Sequence, residues 1–397
     1  MNVLIGKGNP HGEIHAPPSK SYAHRLLIVN GLLGQGAVRG ISFSEDILAT
    51  LDCLSACGVN YAIAGNDILF KGRKSPGGLY KCRESGSTLR FFLPIAALFG
   101  SENEFLMSDR LKQRGVGEYE KALKASDISV SDTKQGFRVL GRLKSGSYEV
   151  DCSRSSQYAS GLLMALSFLR ESSSIKLLPP IESKNYLDIT LDVLNRHGAG
   201  ITFDGESSMF FIPGNELHAY DEIPPGDASN AAFLDAFSYL GCGVRVLGLE
   251  EKSLQGDAVY KGHFTSLAKG ESVIDISNCI DLGPVLMAFA SLNHGATLKG
   301  IGRLRLKESD RVLVMKEELG KVGARVDIKE DEAHVSAAKF ESQTPFSAHN
   351  DHRIAMALSL FLCRQDVKIL SAEVVSKSYP DYWKDLERLG LHIEYEQ

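Results

Sequence analysis

Apolar and polar residues fall into a recurring block pattern along this chain. Six runs, at 22–33, 89–99, 158–169, 231–240, 282–292 and 354–362, are apolar nearly all round a helical repeat. Helices of that kind are buried rather than half-exposed. Each run follows a polar or charged loop and leads into a turn and a short apolar strand, as at 296–299 and 367–370. A second, amphipathic helix then ends near a glycine and gives way to another strand. The copies run 54–58 into 59–63, 194–198 into 201–203, 319–323 into 325–328 and 386–390 into 391–395, with fainter ones around Leu123 and Leu267. Recurrence at a spacing of roughly 50–75 residues signals a repeat architecture. Six units of two helices and several strands make a two-domain α/β protein with three units in each domain.

Proline pairs locate the domain crossings. Pro17-Pro18 and Pro224-Pro225 hold the chain extended and leave few backbone donors, which suits a crossing between domains. On that reading residues 18–224 form the N-terminal domain, and 1–17 join 225–397 in the C-terminal one. Pro179-Pro180 is a third pair of the same kind.

Composition narrows the class. At 397 residues the chain can bury two or three full cores, and a formal charge of −5 argues against a nucleic-acid-coating surface. No signal-peptide layout and no apolar run of transmembrane length is present. The seven cysteines are scattered without a Cys-x-x-Cys pair, so a reduced, cytoplasmic protein without structural zinc is expected.

Candidate chemistry begins where a local rule is broken. In Lys307-Glu308-Ser309-Asp310-Arg311, Ser309 or Asp310 is the natural N-cap of an amphipathic helix that Gly323 would terminate. Arg311 then lies in the first turn and opposes the helix dipole, a cost of roughly 0.3–1 kcal/mol, so a compensating anion is expected. The same oddity recurs in the loops before the buried helices. These carry Lys20, Ser21 and Arg25; Ser85, Gly86 and Arg90; Ser155, Ser156 and Gln157; Asp281; and Asp351, His352 and Arg353. Helix N-termini beside hydroxyls and guanidinium groups are anion sites. If they face one cleft, cations converge from both domains. Two such charges about 4 Å apart repel by roughly 4 kcal/mol at an effective dielectric of 20, so an anionic ligand or water must fill the gap. Asp281, Glu308 and Asp351 are the candidate bases, although Asp281 could instead cap the buried helix and Asp351 could serve only to orient its neighbours. No P-loop, His-Glu-x-x-His or nucleophile elbow occurs.

Taken in order, Pro18-Ser19-Lys20-Ser21, Ser155-Ser156-Gln157, Lys307-Glu308-Ser309-Asp310-Arg311, Asp351-His352-Arg353 and Ser376-Lys377 resemble the motifs of the EPSP synthases, of the enolpyruvyl transferase family, over essentially the whole chain. The resemblance implies two domains of three βαβαββ repeats each, an inverse α/β barrel. It implies transfer of the enolpyruvyl group of phosphoenolpyruvate to the 5-hydroxyl of shikimate 3-phosphate with release of phosphate. No metal or organic cofactor is expected. The two substrates are the expected partners, with no nucleic acid, no membrane and a monomeric state.

Position by position, the resemblance assigns Lys20, Ser21, Arg25, Ser155, Ser156, Gln157, Ser183, Asp281 and Lys307 to shikimate 3-phosphate. Lys20, Gly86, Arg114, Gln157, Arg311, Arg353 and Lys377 would hold phosphoenolpyruvate. Asp281 would accept the hydroxyl proton, while Glu308 and Lys20 would exchange protons with the methylene carbon and the leaving phosphate. Glyphosate is the inhibitor that this resemblance suggests testing. Departures from the family pattern are Gly115 after Arg114, Arg303, Phe91 after Arg90, and Glu84-Ser85-Gly86-Ser87. The alternatives are a UDP-N-acetylglucosamine 1-carboxyvinyltransferase, whose usual reactive Cys is absent from 109–117, an RNA 3′-phosphate cyclase, and an inactive binding protein of the same fold.

Overall fold

The structure, a computed structural model, describes residues 1–340 and 345–396. The chain forms two compact units: an inserted unit, Pro18–Pro224, and a terminal unit, Met1–Pro17 with Pro225–Gln397. The inserted unit holds helices α1 (Lys20–Leu33), α2 (Glu45–Ala56), α3 (Gly86–Ala96), α4 (Asp109–Arg114), α5 (Gly117–Ala122), α6 (Gln157–Leu166) and α7 (Asn185–Arg196). The terminal unit holds α8 (Ala228–Tyr239), α9 (Tyr260–Lys269), α10 (Gly283–Leu292), α11 (Arg311–Gly320), α12 (His352–Ser359) and α13 (Tyr382–Arg388).

Among the described residues each unit carries three small sheets, four of the six having four strands in one order, with a three-stranded and a two-stranded sheet beside them. In the second sheet of the inserted unit, Leu79–Arg83 pairs parallel with Asn103–Met107 across the buried helix α3. Gly136–Leu140 then pairs antiparallel with Asn103–Met107 and with the outer strand Ser129–Thr133. The sheets starting at Ser147 and Ser272 repeat this order. That is a βαβαββ unit, and the parallel first pair requires the helical crossover between its strands.

The chain ends and crossings fill the gaps in the plan. The sheet of Ala37–Val38, Asp67–Arg73 and Val59–Ala64 takes Glu222 as a parallel bridge partner of Val38 at its open edge. In the terminal unit His11–His15 pairs parallel with Gly243–Leu247. Asn2–Ile5 lies antiparallel between Val367–Leu370 and Ile393–Glu396, so the first residues complete the last repeat.

The first helix of each repeat is the core element, as its all-round apolar sequence requires. All ten residues of α10 are buried, as is the whole of α1 from Tyr22 to Leu32. The amphipathic second helices bury one face only, as α7 does through Leu187, Ile189, Val193 and Leu194. One boundary differs from the sequence expectation: α11 ends at Gly320, not at Gly323. Gly323, at φ 75°, closes a further turn by donating to the Gly320 carbonyl at 3.0 Å.

Candidate active site

In the terminal unit the N-terminal ends of α11 and α12 and the turn before α10 bring six charges together. Asp310, not Ser309, caps α11, accepting from the Leu313 amide at 3.1 Å. Ser309 instead donates to Asp351 at 3.0 Å. Arg311 is 1% exposed and its guanidinium is shared among three carboxylates. Nε donates to Asp351 at 2.8 Å, Nη1 to Asp281 at 2.9 Å, and Nη2 to Glu308 at 2.8 Å and to Asp351 at 3.2 Å. Burial alone would lower the Arg311 pKa, but Asp351, Glu308 and Asp281 outweigh it and the net shift is upward. Burial likewise pushes the Asp351 carboxyl up, yet Arg311 prevails and holds it below the ordinary range.

The anion that compensates Arg311 in the first turn is thus the protein's own. Lys307 and Arg353 complete the cluster, reaching Asp281 at 3.2 and 3.3 Å, so three cations face three carboxylates. The N-cap position of α10 is held by Leu282, not Asp281, and Leu282 makes no side-chain cap. Asp351 does cap its helix, accepting from the Arg353 amide at 3.0 Å while it grips Arg311. Lys377 donates to the Asn350 carbonyl at 2.7 Å, just before α12.

The inserted unit has the opposite character. Arg25 is 2% exposed, and the groups it donates to are neutral: Thr190 Oγ1 at 2.7 Å, Ser160 Oγ at 3.4 Å, and the carbonyls of Ser21 at 2.7 Å and Tyr186 at 3.0 Å. Its guanidinium lies 5.0 Å from the Phe91 ring centre, and burial pulls its pKa down to about 10. Among the described residues no carboxylate pairs with it; a buried cation so placed is costly, so this is a place where an anion would be favoured. Ser183 stands one step away: at φ 51° it accepts the Tyr186 amide at 3.1 Å, and Tyr186 in turn holds Arg25. Lys20 pairs with Asp46 at 2.5 Å.

A second cationic point forms at the start of α3. Arg90, 5% exposed, donates to Gln157 Oε1 at 2.7 Å and lies 5.2 Å from the Tyr158 ring centre. Gln157 also donates to Ser87 at 2.8 Å, and its amide donates to Ser155 Oγ at 3.3 Å. Ser156 is the N-cap of α6 and makes no side-chain cap. A Cβ at Gly86 would lie 2.9 Å from Arg90 Nη1 and 3.1 Å from Arg114 Nη2, so both guanidinium groups flank that glycine. Two cations at a helix N-terminus, with a glycine leaving the backbone open, form an anion cradle.

A model of the EPSP synthase (3-phosphoshikimate 1-carboxyvinyltransferase) family matches residues 6–386. The chain belongs to the EPSP synthase family. It is 38% identical over 423 residues to the 3-phosphoshikimate 1-carboxyvinyltransferase of Clostridium kluyveri, covering 99% of this chain and 98% of that one. The enzyme of that name from Clostridium beijerinckii is 34% identical over 425 residues, covering 98% and 97%. An EPSP synthase structure from Acinetobacter baumannii superposes with a TM-score of 0.78 at 23% identity over 100% of both chains, which shows the shared fold. Among the described residues, no helix is long and apolar enough to cross a membrane.

Sequence reasoning left three groups of this EPSP synthase family member unassigned. Arg90 was noted as a neighbour, but nothing in its spacing set it beside Gln157, 67 residues on. His24 is buried, with Nδ1 2.7 Å from Thr50 Oγ1, and burial holds its pKa well below the ordinary value, Lys20 and Arg25 adding repulsion. Asp257, in the 3-10 turn Gly256–Val259, accepts from Ser229; burial and then Asp281 push its carboxyl up to about 7. Its only sequence signal is Gln255-Gly256-Asp257, which has no local periodicity.

Proposed function

We propose that this enzyme transfers the enolpyruvyl group of phosphoenolpyruvate to the 5-hydroxyl of shikimate 3-phosphate, releasing phosphate. The observation that carries the proposal is the family match over residues 6–386. It favours this acceptor over the UDP-N-acetylglucosamine alternative. The geometry supplies what the chemistry needs.

The hydroxyl adds to C2 of phosphoenolpyruvate as the methylene carbon takes a proton; phosphate then leaves as a proton departs from the new methyl group. Both halves need an acid, a base and electrostatic support for the moving charge. Asp281 takes the hydroxyl proton, and three cations on its two oxygens fix its orientation. Glu308, steadied by Arg311 at 2.8 Å, and Lys20 serve the methylene carbon and the leaving phosphate. Arg25 with Ser21, Ser155, Ser156, Gln157 and Ser183 binds shikimate 3-phosphate together with Lys307. Its 3-phosphate provides the anion that Arg25 lacks. Gly86, Arg114, Gln157, Arg311, Arg353 and Lys377 bind phosphoenolpyruvate, alongside Lys20. An incoming carboxylate or phosphate competes with Asp281 and Glu308 for the same guanidinium groups, so substrate binding redistributes an existing charge balance.

The enzyme works without a metal or organic cofactor, as a cytoplasmic monomer. Phosphate release from phosphoenolpyruvate, measured with shikimate 3-phosphate and with UDP-N-acetylglucosamine in separate reactions, tests the assignment. Turnover is expected with the first alone. Turnover with the second alone, or with neither, contradicts it.

A further inference from the structure

Five of the seven thiols, Cys53, Cys57, Cys82, Cys152 and Cys279, are buried. The other two, Cys242 and Cys363, are half-buried, and their Sγ atoms lie 3.7 Å apart. They are 121 residues apart in sequence, and the fold alone brings them together.

Both positions are anchored by the backbone. Cys242 follows Gly241, at φ 89°, in the turn that ends α8, and its amide donates to the Phe237 carbonyl at 2.9 Å. Cys363 closes the 3-10 turn Leu360–Cys363 that continues α12, and the neighbouring Leu362 carbonyl accepts from the Gly8 amide at 3.0 Å. Neither sulfur belongs to the proposed catalytic groups, and Arg353, assigned to phosphoenolpyruvate, lies at the opposite, N-terminal end of α12.

We propose that Cys242 and Cys363 are a dithiol modification site that closes reversibly to an intramolecular disulfide. The sulfurs would shorten their separation from 3.7 Å to about 2.05 Å. The pair is also chemically asymmetric, as thiol–disulfide exchange favours. The sulfur–sulfur contact with Cys363 lowers the Cys242 thiol against the opposing effect of burial, and Arg364 adds to the lowering; Cys363 is raised in turn. Cys242 then serves as the attacking thiolate and Cys363 as the resolving thiol, an order that the single-serine variants below test.

With a low-molecular-weight disulfide as oxidant, the Cys242 thiolate attacks one sulfur of RS–SR and expels RS⁻. That thiolate takes the Cys363 proton, and the Cys363 sulfur attacks Cys242 Sγ and expels the second RS⁻, which is protonated by water. Two cysteine thiols lose two electrons and two protons, and one RS–SR becomes two RSH. The comparison within the molecule is Cys53 and Cys82, whose sulfurs are 3.9 Å apart. That pair is sealed in the core without access for an oxidant, and burial pushes the Cys53 thiol well up.

The test is incubation of the full-length protein in a glutathione redox series, followed by acid quench, alkylation and peptide mapping. The expected result is a link between Cys242 and Cys363 in the monomer that dithiothreitol reverses, with the other five cysteines alkylated. Cys242→Ser should stay unmodified at Cys363 or react slowly there. Cys363→Ser should stop at glutathione bound to Cys242. Glutathione persisting on Cys242 of the wild type, a link between other cysteines, or no link at the oxidising end of the series would each overturn the proposal.

Discussion

Replacing Arg311 with alanine removes the guanidinium that bridges Asp281, Glu308 and Asp351. Four hydrogen bonds of 2.8–3.2 Å are lost, and Asp351, which is 0% exposed, keeps only Ser309 and the Arg353 amide among the donors described above. Breaking one side of a buried ion pair costs about 3–5 kcal/mol, because the remaining charge stays buried. For a unit of this size that corresponds to a fall of roughly 6–20 °C in the melting midpoint at pH 7.

The pH dependence has a definite sign. In the wild type the Asp351 pKa is depressed, so its contribution is present above the ordinary carboxylate value and is lost as pH falls through the lowered one. In the variant the buried carboxyl loses its main counter-charge and is raised instead, so the penalty exists only where it is ionised. The gap between variant and wild type should therefore narrow as pH drops from 7 towards 3. Thermal melts across that range, with the Arg311→Ala/Asp351→Ala double variant, read out both effects. The two losses should be strongly non-additive, since they remove the same contact. A shift below about 2 °C at pH 7, or a gap that does not narrow on acidification, refutes the account of this cluster.

Asp281→Ala should cut kcat by roughly 100-fold or more while shikimate 3-phosphate still binds; calorimetry alongside kinetics checks this, and a loss of binding with normal kcat would reject the base assignment. Arg25→Met should raise the KM for shikimate 3-phosphate by roughly 30-fold or more, because a buried charge contact is lost. Its stability should stay within about 1 kcal/mol, because an apolar residue of similar volume replaces a buried cation that has no carboxylate partner; a large stability loss with unchanged KM would make Arg25 structural. Gly86→Ala should push back Arg90, which Gln157 and the Tyr158 ring hold in place. Inhibition titrations should show glyphosate losing more affinity than phosphoenolpyruvate; equal losses would show that this glycine does not shape the anion cradle.

The repeats were legible because a helix apolar on every side has one plausible environment, and α1, α6 and α10 carry that pattern plainly. Strands 296–299 and 367–370 fall where their apolar residues placed them. The ion pairing was not legible. Nothing in the order Lys307, Glu308, Arg311 says that Asp351 and Asp281, 40 and 30 residues from Arg311, neutralise the cation that opposes its helix dipole. Local rules reported the anomaly at Arg311, whereas its partner came from tertiary contact. For the same reason the ion pairs of Asp281 with Lys307, Arg311 and Arg353 could not be read from its place before a buried helix, where a cap and a base look alike. Asp257 and His24 gave no signal because a buried polar residue inside an unremarkable turn or helix differs from a solvated one only through its neighbours.

Phosphorus NMR of the purified protein with phosphoenolpyruvate and shikimate 3-phosphate tests the central claim most directly. The account predicts that the phosphoenolpyruvate signal gives way to inorganic phosphate in step with a new ester-phosphate signal, as the 3-phosphate stays on the enolpyruvyl product. Phosphoenolpyruvate left intact, or inorganic phosphate formed while the shikimate 3-phosphate signal is unchanged, would contradict enolpyruvyl transfer by this chain.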